Sequence, residues 1–556
     1  MAETVNARIR AQSRNMSGPI VLLVLAGVLM PLACAAMQRG GAGADAHGTE
    51  RALAALYAGK DPTLLWSRGG HATPQALALL DELAAAASYG LNPADYGAAA
   101  IAPGSAGDSG SWERYDRRLS AAALRFVVDL HYGRIDPLRA GFHLEGKRPS
   151  LDLVNILQTL AAAPDVAAEI AAIEPQFYHY KLLEQSLHRY RQLAAQQSSL
   201  APLPKIPRFP LRPGQRYVGA ASLRALLMLL GDLPLHRPEA DVGTTLDPAL
   251  VAAVRHFQQR HGLAADGTIG RATFAALATP LSFRVRQIEL TLERWRWLPP
   301  FENPPIIVNI PQFRLFAFRS TADLKADILQ MDVIVGRTYP STQTPVFAAD
   351  MKYVIFRPYW DVPYSITRRE LLPAIRRNPD YLTAQHLEIV QGDDDSARIL
   401  PPTADNLAAL EAGRLRLRQQ PGADNALGLI KFMLPNANNV YLHSTPAHRL
   451  FNESRRTFSH GCIRVSDPVA LAVHVLHDAP GDWTPGKVEA EMNGTVTRRV
   501  VLAKPIRVLI LYATVLATEA GDVLFFDDIY GHDGRLAALL ESASRLRPGL
   551  AARSGR

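Results

Sequence analysis

Hydrophobic and polar positions along this 556-residue chain change rhythm several times. From Arg51 to about Gln197, Ala and Leu recur every three or four residues, the repeat of one helix face. Gln75 to Ala87 and Ser120 to His131 are the clearest predicted helices. Turn signals at Gly90-Leu91-Asn92-Pro93 and Gly133-Arg134-Ile135-Asp136-Pro137 separate them. Residues 50–215 therefore read as a helical scaffold without a titratable cluster that resembles a site. Prolines at 202, 204, 207, 210 and 213 predict an extended, stiff boundary. A second helical module follows at 216–282. Asp247-Pro248 supplies an N-cap and a first-turn proline, and Leu250, Val254 and Phe257 share one face. Gly262 ends that helix, Asp266-Gly267 turns the chain, and Gly270 leads into a short helix ending near Leu277.

From Pro304 the texture becomes β. Ile306–Ile310, Arg314–Phe318, Asp332–Val335, Tyr353–Phe356, Val440–His443 and Val508–Tyr512 are short β-branched or aromatic runs bounded by Pro, Gly and Asn. Such runs predict a curved sheet or sandwich. A polar, helix-containing insertion at about 364–426 interrupts them and carries Arg368, Arg369, Arg376, Arg377, Arg414, Arg416 and Arg418. It reads either as a lid over a site or as solvated decoration. Residues 516–556 form a C-terminal extension. The fold class expected is multidomain α+β, with two helical domains ahead of a mainly-β domain at 283–515.

Composition sharpens this only at the N-terminus and at the cysteines. Charged residues at 20% and hydrophobic ones at 48% fit a folded chain. The net charge of +8 is spread out, with no basic block of the kind that binds nucleic acid, though it would suit an anionic polymer. Arg8, Arg10 and Arg14 precede an uncharged run from Pro19 to Met37, the layout of an export signal within residues 1–39. A cleaved signal ending near Ala33-Cys34-Ala35, an uncleaved inner-membrane anchor and a lipid-modified Cys34 are the three readings, and the anchor is preferred. Either way the expected location is the periplasm. The chain has two cysteines, Cys34 and Cys462, so its folded part holds one thiol and no disulfide partner for it.

A cysteine becomes a nucleophile when an imidazole accepts its proton. His443 ends one predicted strand, and Cys462 follows 19 positions later, just before Ile463-Arg464-Val465. His460-Gly461-Cys462 reads as a tight turn whose N–H groups could face an oxyanion. Asp467-Pro468 caps a helix to about His477 behind it. On spacing alone this competes with an inert buried thiol, with ordinary surface histidines, and with a zinc site from His443, His448, His460 and Cys462. The last matches zinc-ligand spacing poorly.

The wording "HSTP…SHGCIRVSDP" resembles the signature of the L,D-transpeptidase (YkuD-type) catalytic domain, matched here by His443, Ser459, His460, Gly461, Cys462, Ile463 and Arg464. "RQIELTLERWRWLP", "IIVNIPQFRLFAF", "VIVGRTYPSTQTPVF" and "FRPYWDVPYSITRRELLP" resemble the large, YcbB-type branch, with Thr291 standing where Asn is expected. "AVRHFQQRHGLAADGTIGRATFAAL" is similar to a peptidoglycan-binding domain, mostly at core and turn positions. The resemblance implies that Cys462, with His443 as base and the Ser444 carbonyl orienting it, cross-links peptidoglycan stem peptides through their third residues. His460 and Gly461 are then candidates at the oxyanion, and Arg464, Trp360, Tyr339 and Ser459 at the substrate. Arg464 reads equally as a structural ion pair, and the two aromatics as ordinary core. No cofactor or metal is implied. Candidate partners are donor and acceptor stem peptides, cell-wall synthases and the inner membrane. The competing activities are an L,D-peptidase or carboxypeptidase that uses water, and a non-catalytic wall-binding envelope protein.

Overall fold

The computed structural model describes residues 42–59, 63–105, 107–144, 148–234, 243–301, 303–320, 328–392 and 396–546. The export-signal or anchor segment at 1–39 and the last ten residues of the C-terminal extension lie outside the described residues. Among the described residues, no helix is long and apolar enough to cross a membrane.

The first helices are α1 (Ala42–Leu56), α2 (Pro74–Ala84), α3 (Ser109–Tyr132), α4 (Leu153–Ala162) and α5 (Val166–Ile173). Side chains of Thr73, Asp108, Asp152 and Asp165 accept the third backbone N–H of α2 to α5, satisfying donors that a helix start leaves free. The helices close over a core containing Trp66, Leu79, Tyr96, Leu119 and Phe126. Buried Asp116 accepts the Tyr57 hydroxyl on one oxygen and the Trp66 N–H on the other, so both oxygens have donors.

Helix α6 (Tyr178–Gln197) then runs against α10 (Leu281–Arg296), with α7 (Ala220–Leu230), α8 (Pro248–Gln259) and α9 (Arg271–Leu277) between them in sequence. Asp247 caps α8 through the Leu250 N–H, as its Asp-Pro start predicts. Gln258 lies inside this module, bonding Asp266, the Thr268 carbonyl and Thr273 and accepting from the Gly267 N–H. These positions shared with peptidoglycan-binding domains are therefore internal struts. Thr291 is buried too, its hydroxyl donating to the Gln287 carbonyl one turn back in α10. Helices α6 to α10 share one core with Leu509, Leu511, Val515 and Phe525 of the β domain, so the module is packed against its neighbours.

The β domain contains β1 (Ile306–Asn309), β2 (Arg314–Ala317), β3 (Leu329–Gly336) and β4 (Phe347–Phe356). The insertion follows with β5 (Trp360–Asp361), α11 (Leu372–Arg377), β6 (Leu387–Gln391), β7 (Arg398–Leu400), α12 (Ala404–Glu411) and β8 (Arg416–Gln419). The chain returns through β9 (Ile430–Met433), β10 (Leu442–His443), β11 (Thr457–Ser459) and β12 (Ile463–Val465). Helices α13 (Pro468–Val475) and α14 (Pro485–Asn493), then β13 (Arg498–Leu511), complete it. A hairpin of β14 (Val515–Ala517) and β15 (Val523–Phe525) and helix α15 (His532–Leu546) end the described chain.

The main sheet has the order β11-β3-β12-β10-β9-β4-β13-β1-β2, and β2 also pairs with β3, so the sheet curls back on itself. Phe356, Phe432, Leu442, Ile463 and Val465 fill its inner side together with Leu471, Val475 and Val488 from α13 and α14. The insertion is helix-containing as expected but adds a four-stranded sheet, β5-β8-β6-β7, around its own small core of Leu372, Ile375, Ile389 and Leu417.

Candidate active site

Strands β10 and β12 run parallel, with Leu442 opposite Ile463 and His443 opposite Arg464. The preceding pair is Tyr441 and Cys462, tied by the Ile463 N–H to the Tyr441 carbonyl at 3.0 Å. Because side chains alternate, Leu442 and Ile463 enter the core while Tyr441, His443, Cys462 and Arg464 share the opposite face. His443 and Cys462 are thus diagonal neighbours on that face. Lys431 of β9, opposite His443, joins the same face.

His443 is buried, and its Nδ1 lies 2.6 Å from the Ser444 carbonyl oxygen. A carbonyl only accepts, so Nδ1 carries the proton and Nε2 is left with its lone pair. Burial, with Arg464 and Lys431 adding to it, lowers the imidazole pKa to about 3. The ring is therefore a neutral acceptor at neutral pH. Ser444 is itself fixed: its hydroxyl accepts the Leu429 and Ile430 N–H groups and donates to the Leu427 carbonyl. Gly428, at φ +63°, packs so closely here that a Cβ would sit 2.2 Å from the Ser444 hydroxyl oxygen.

The Cys462 sulfur is half-buried and donates to the Asn439 carbonyl at 3.8 Å. Burial raises its pKa, partly offset by the Tyr441 backbone and side chain, Lys431 and Arg464. The resting pair is accordingly a thiol and a neutral imidazole rather than a standing thiolate and imidazolium. Tyr441 bonds toward the sulfur and is reached by Trp360 from the insertion, while the Lys431 ammonium lies 3.9 Å from the centre of its ring. Trp360 is thereby brought to the site.

The turn before the thiol is tightly bound. Ser459 Oγ donates to the Cys462 carbonyl at 2.6 Å and accepts the Gly461 N–H at 3.1 Å. Ser459 and the Gly461 amide thus hold the turn together. The N–H groups of His460 and Cys462 have no acceptor among the described residues. Gly461 adopts φ +120°, which an L side chain rarely tolerates. The His460 ring faces the insertion, with Nε2 at 2.8 Å from Glu370 and 3.5 Å from Arg337. Arg464 is half-buried, its Nε is enclosed without a hydrogen-bond partner, and it forms no ion pair with a carboxylate among the described residues. Tyr339 is 67% exposed on the loop before Thr342, neither a core aromatic nor in contact with the sulfur.

Four residues that sequence reasoning missed complete the site: Tyr441, Glu370, Thr344 and Tyr530. Thr344 Oγ1 donates to the Gly461 carbonyl at 2.8 Å and accepts the Gly336 N–H at 2.9 Å. The Tyr530 hydroxyl accepts the Thr344 N–H at 3.3 Å and donates to the Gly336 carbonyl at 2.6 Å. Only Tyr441 carried a signal, its two-residue spacing from His443 on a strand. Among the described residues, no three His, Cys, Asp or Glu side chains come together to hold a metal ion.

A buried imidazole held by a carbonyl thus shares one sheet face with the Cys462 thiol that follows a glycine turn. Comparison with known families gives it a name. Residues 304–497 match the L,D-transpeptidase catalytic domain, residues 220–277 a domain described as "Putative peptidoglycan binding domain", and residues 51–187 the Scaffold domain. The stretch 304–497 is thus similar to the L,D-transpeptidase catalytic domain, and it follows the two matched helical stretches. A Haemophilus influenzae protein described as "Putative L,D-transpeptidase" is 32% identical over 255 residues, covering 45% of this chain. That stretch is 49% of the relative, so the chain spans about half the length of the curated protein it matches.

Proposed function

We propose that this protein is a cysteine L,D-transpeptidase that joins peptidoglycan stem peptides through their third residues. The observation that carries this reading is the shared sheet face of His443 and Cys462, with the Ser444 carbonyl behind the imidazole. The Cys462 thiol turns from Asn439 and passes its proton to His443 Nε2 as the sulfur attacks the carbonyl carbon of the third stem residue. The free Cys462 N–H faces the oxyanion that forms. The C–N bond to the terminal D-alanine breaks, His443 returns the proton to that nitrogen, and a thioester remains. The side-chain amine of a second stem attacks the thioester, His443 takes the surplus proton, and the departing sulfur recovers it. Arg464 and Arg337, close enough to repel one another, offer cationic density for a stem carboxylate. The insertion, through Trp360 and Glu370, forms the cover under which amine can outcompete water. We place the reaction on the periplasmic side of the inner membrane, held there by residues 1–39, with wall synthases as candidate partners.

Incubation with purified tetrapeptide stems tests this. The expected product is a cross-linked dimer lacking one D-alanine, absent with Cys462→Ala. Free tripeptide in place of dimer would make the enzyme an L,D-carboxypeptidase, and unchanged stems would leave a wall-binding protein.

A further inference from the structure

The Gly461–Cys462 peptide is planar and trans, so its C=O and N–H point in opposite directions. Whatever grips the Gly461 oxygen therefore aims the Cys462 N–H. That grip is Thr344 Oγ1, at 2.8 Å. Thr344 is wholly buried and cannot drift, because its hydroxyl takes the Gly336 N–H and its own N–H goes to the Tyr530 hydroxyl. Gly336 admits this close approach only because it lacks a side chain: a Cβ there would lie 2.0 Å from the Thr342 carbonyl. Tyr530 lies beyond the matched catalytic domain, 194 positions from Gly336, in the segment between β15 and α15. Its own backbone N–H is held by the Tyr512 hydroxyl at 2.9 Å, and Tyr512 in turn donates to Asp528 at 2.6 Å. Asp528 also accepts the Asp533 N–H at the start of α15. A continuous chain of hydrogen bonds thus runs from the C-terminal segment to the one peptide whose N–H lies beside the sulfur.

We propose that Tyr530, acting through Thr344, is a positioning residue that orients the Cys462 N–H as oxyanion donor, making the C-terminal segment part of the acyl-transfer machinery. The proposal rests on the reading of Cys462 as the acylated nucleophile. It assigns Tyr530 no contact with substrate. Losing the strut leaves the thiol in place and lets the peptide rock, so steps that build an oxyanion suffer while simple alkylation does not. A small misalignment of such a donor costs on the order of tenfold or more in rate.

The test compares Tyr530→Phe, Thr344→Val and Thr344→Ser in the full chain. Three readouts are used: acylation by a carbapenem followed by intact mass, alkylation of Cys462 by iodoacetamide, and hydrogen–deuterium exchange of the peptide spanning 459–463. Tyr530→Phe and Thr344→Val should slow acylation by about tenfold or more, leave alkylation within about twofold, and raise exchange at 459–463. Thr344→Ser, which keeps the hydroxyl, should restore acylation. Wild-type acylation rates in Tyr530→Phe, or equal losses of acylation and alkylation, would overturn the proposal. Should the wild type itself not be acylated at Cys462, the proposed function fails, and unchanged exchange in Tyr530→Phe would separately refute the strut.

Discussion

Neighbouring residues on β9, β10 and β12 point to opposite sides of the sheet, and the two sides follow different rules. Inward, Phe432, Leu442, Ile463 and Val465 are fully buried hydrocarbon. Outward, Lys431, Tyr441, His443, Cys462 and Arg464 crowd titratable groups onto one patch. Among the helices, three buried arginines meet carboxylates: Arg134 meets Asp95, Arg260 meets Asp232, and Arg296 meets Glu293. Arg464 has no such carboxylate among the described residues. The contrast is between a face of packed hydrocarbon and a face of crowded titratable groups.

Substitutions on the two sides should therefore fail differently. Cys462→Ala should lower carbapenem acylation by about 10⁴-fold or more, read as loss of the mass shift. His443→Ala should slow acylation by about 10²- to 10⁴-fold while the melting temperature stays near wild type. One position inward, Phe432→Ala should cost roughly 3–5 kcal/mol in denaturant titrations, with the folded fraction still acylated. Its outward neighbour tests the same strand from the other side. Lys431→Met removes a cation that holds the thiol pKa down, so alkylation at pH 8 should fall roughly threefold with little change in stability.

The pH dependence follows from the same burial. The Cys462 thiol lies above its ordinary 9.0, so iodoacetamide rates should keep rising through pH 9 without a plateau. An early plateau would indicate a standing thiolate instead. His443 is depressed from 6.5 to about 3, so the folded state disfavours its protonation. Its contribution to stability is complete above about pH 6.5 and is lost as pH falls toward 3. His443→Gln should flatten that part of the stability profile.

Much of this was legible before any coordinates. The Asp caps on α8 and α13, the strand before His443 and the glycine turn before Cys462 are local signals, and they appear where the spacing put them. The strands β4 and β13 run well past their apolar runs, because each run pairs with the other strand's extension: Tyr353–Phe356 with Arg498–Val501, and Val508–Ile510 with Phe347–Ala349. Pro505 hid the length of β13. It sits where the register shifts between Val501 and Ile506, a place where a missing N–H is tolerated. Thr344 and Tyr530 left no trace in periodicity, since their partners lie 117 and 194 positions away. Glu370 is hidden for the same reason, facing His460 across 90 positions.

The central claim is that the sulfur of Cys462 becomes acylated by a stem peptide with His443 as base. Rapid quenching of the enzyme with a tetrapeptide stem, followed by intact and peptide-level mass spectrometry, tests it directly. A tripeptide adduct lacking D-alanine, mapped to Cys462 and accumulating far more slowly in His443→Ala, is the predicted result. An adduct that survives Cys462→Ala, or stem turnover that continues without Cys462, would contradict it.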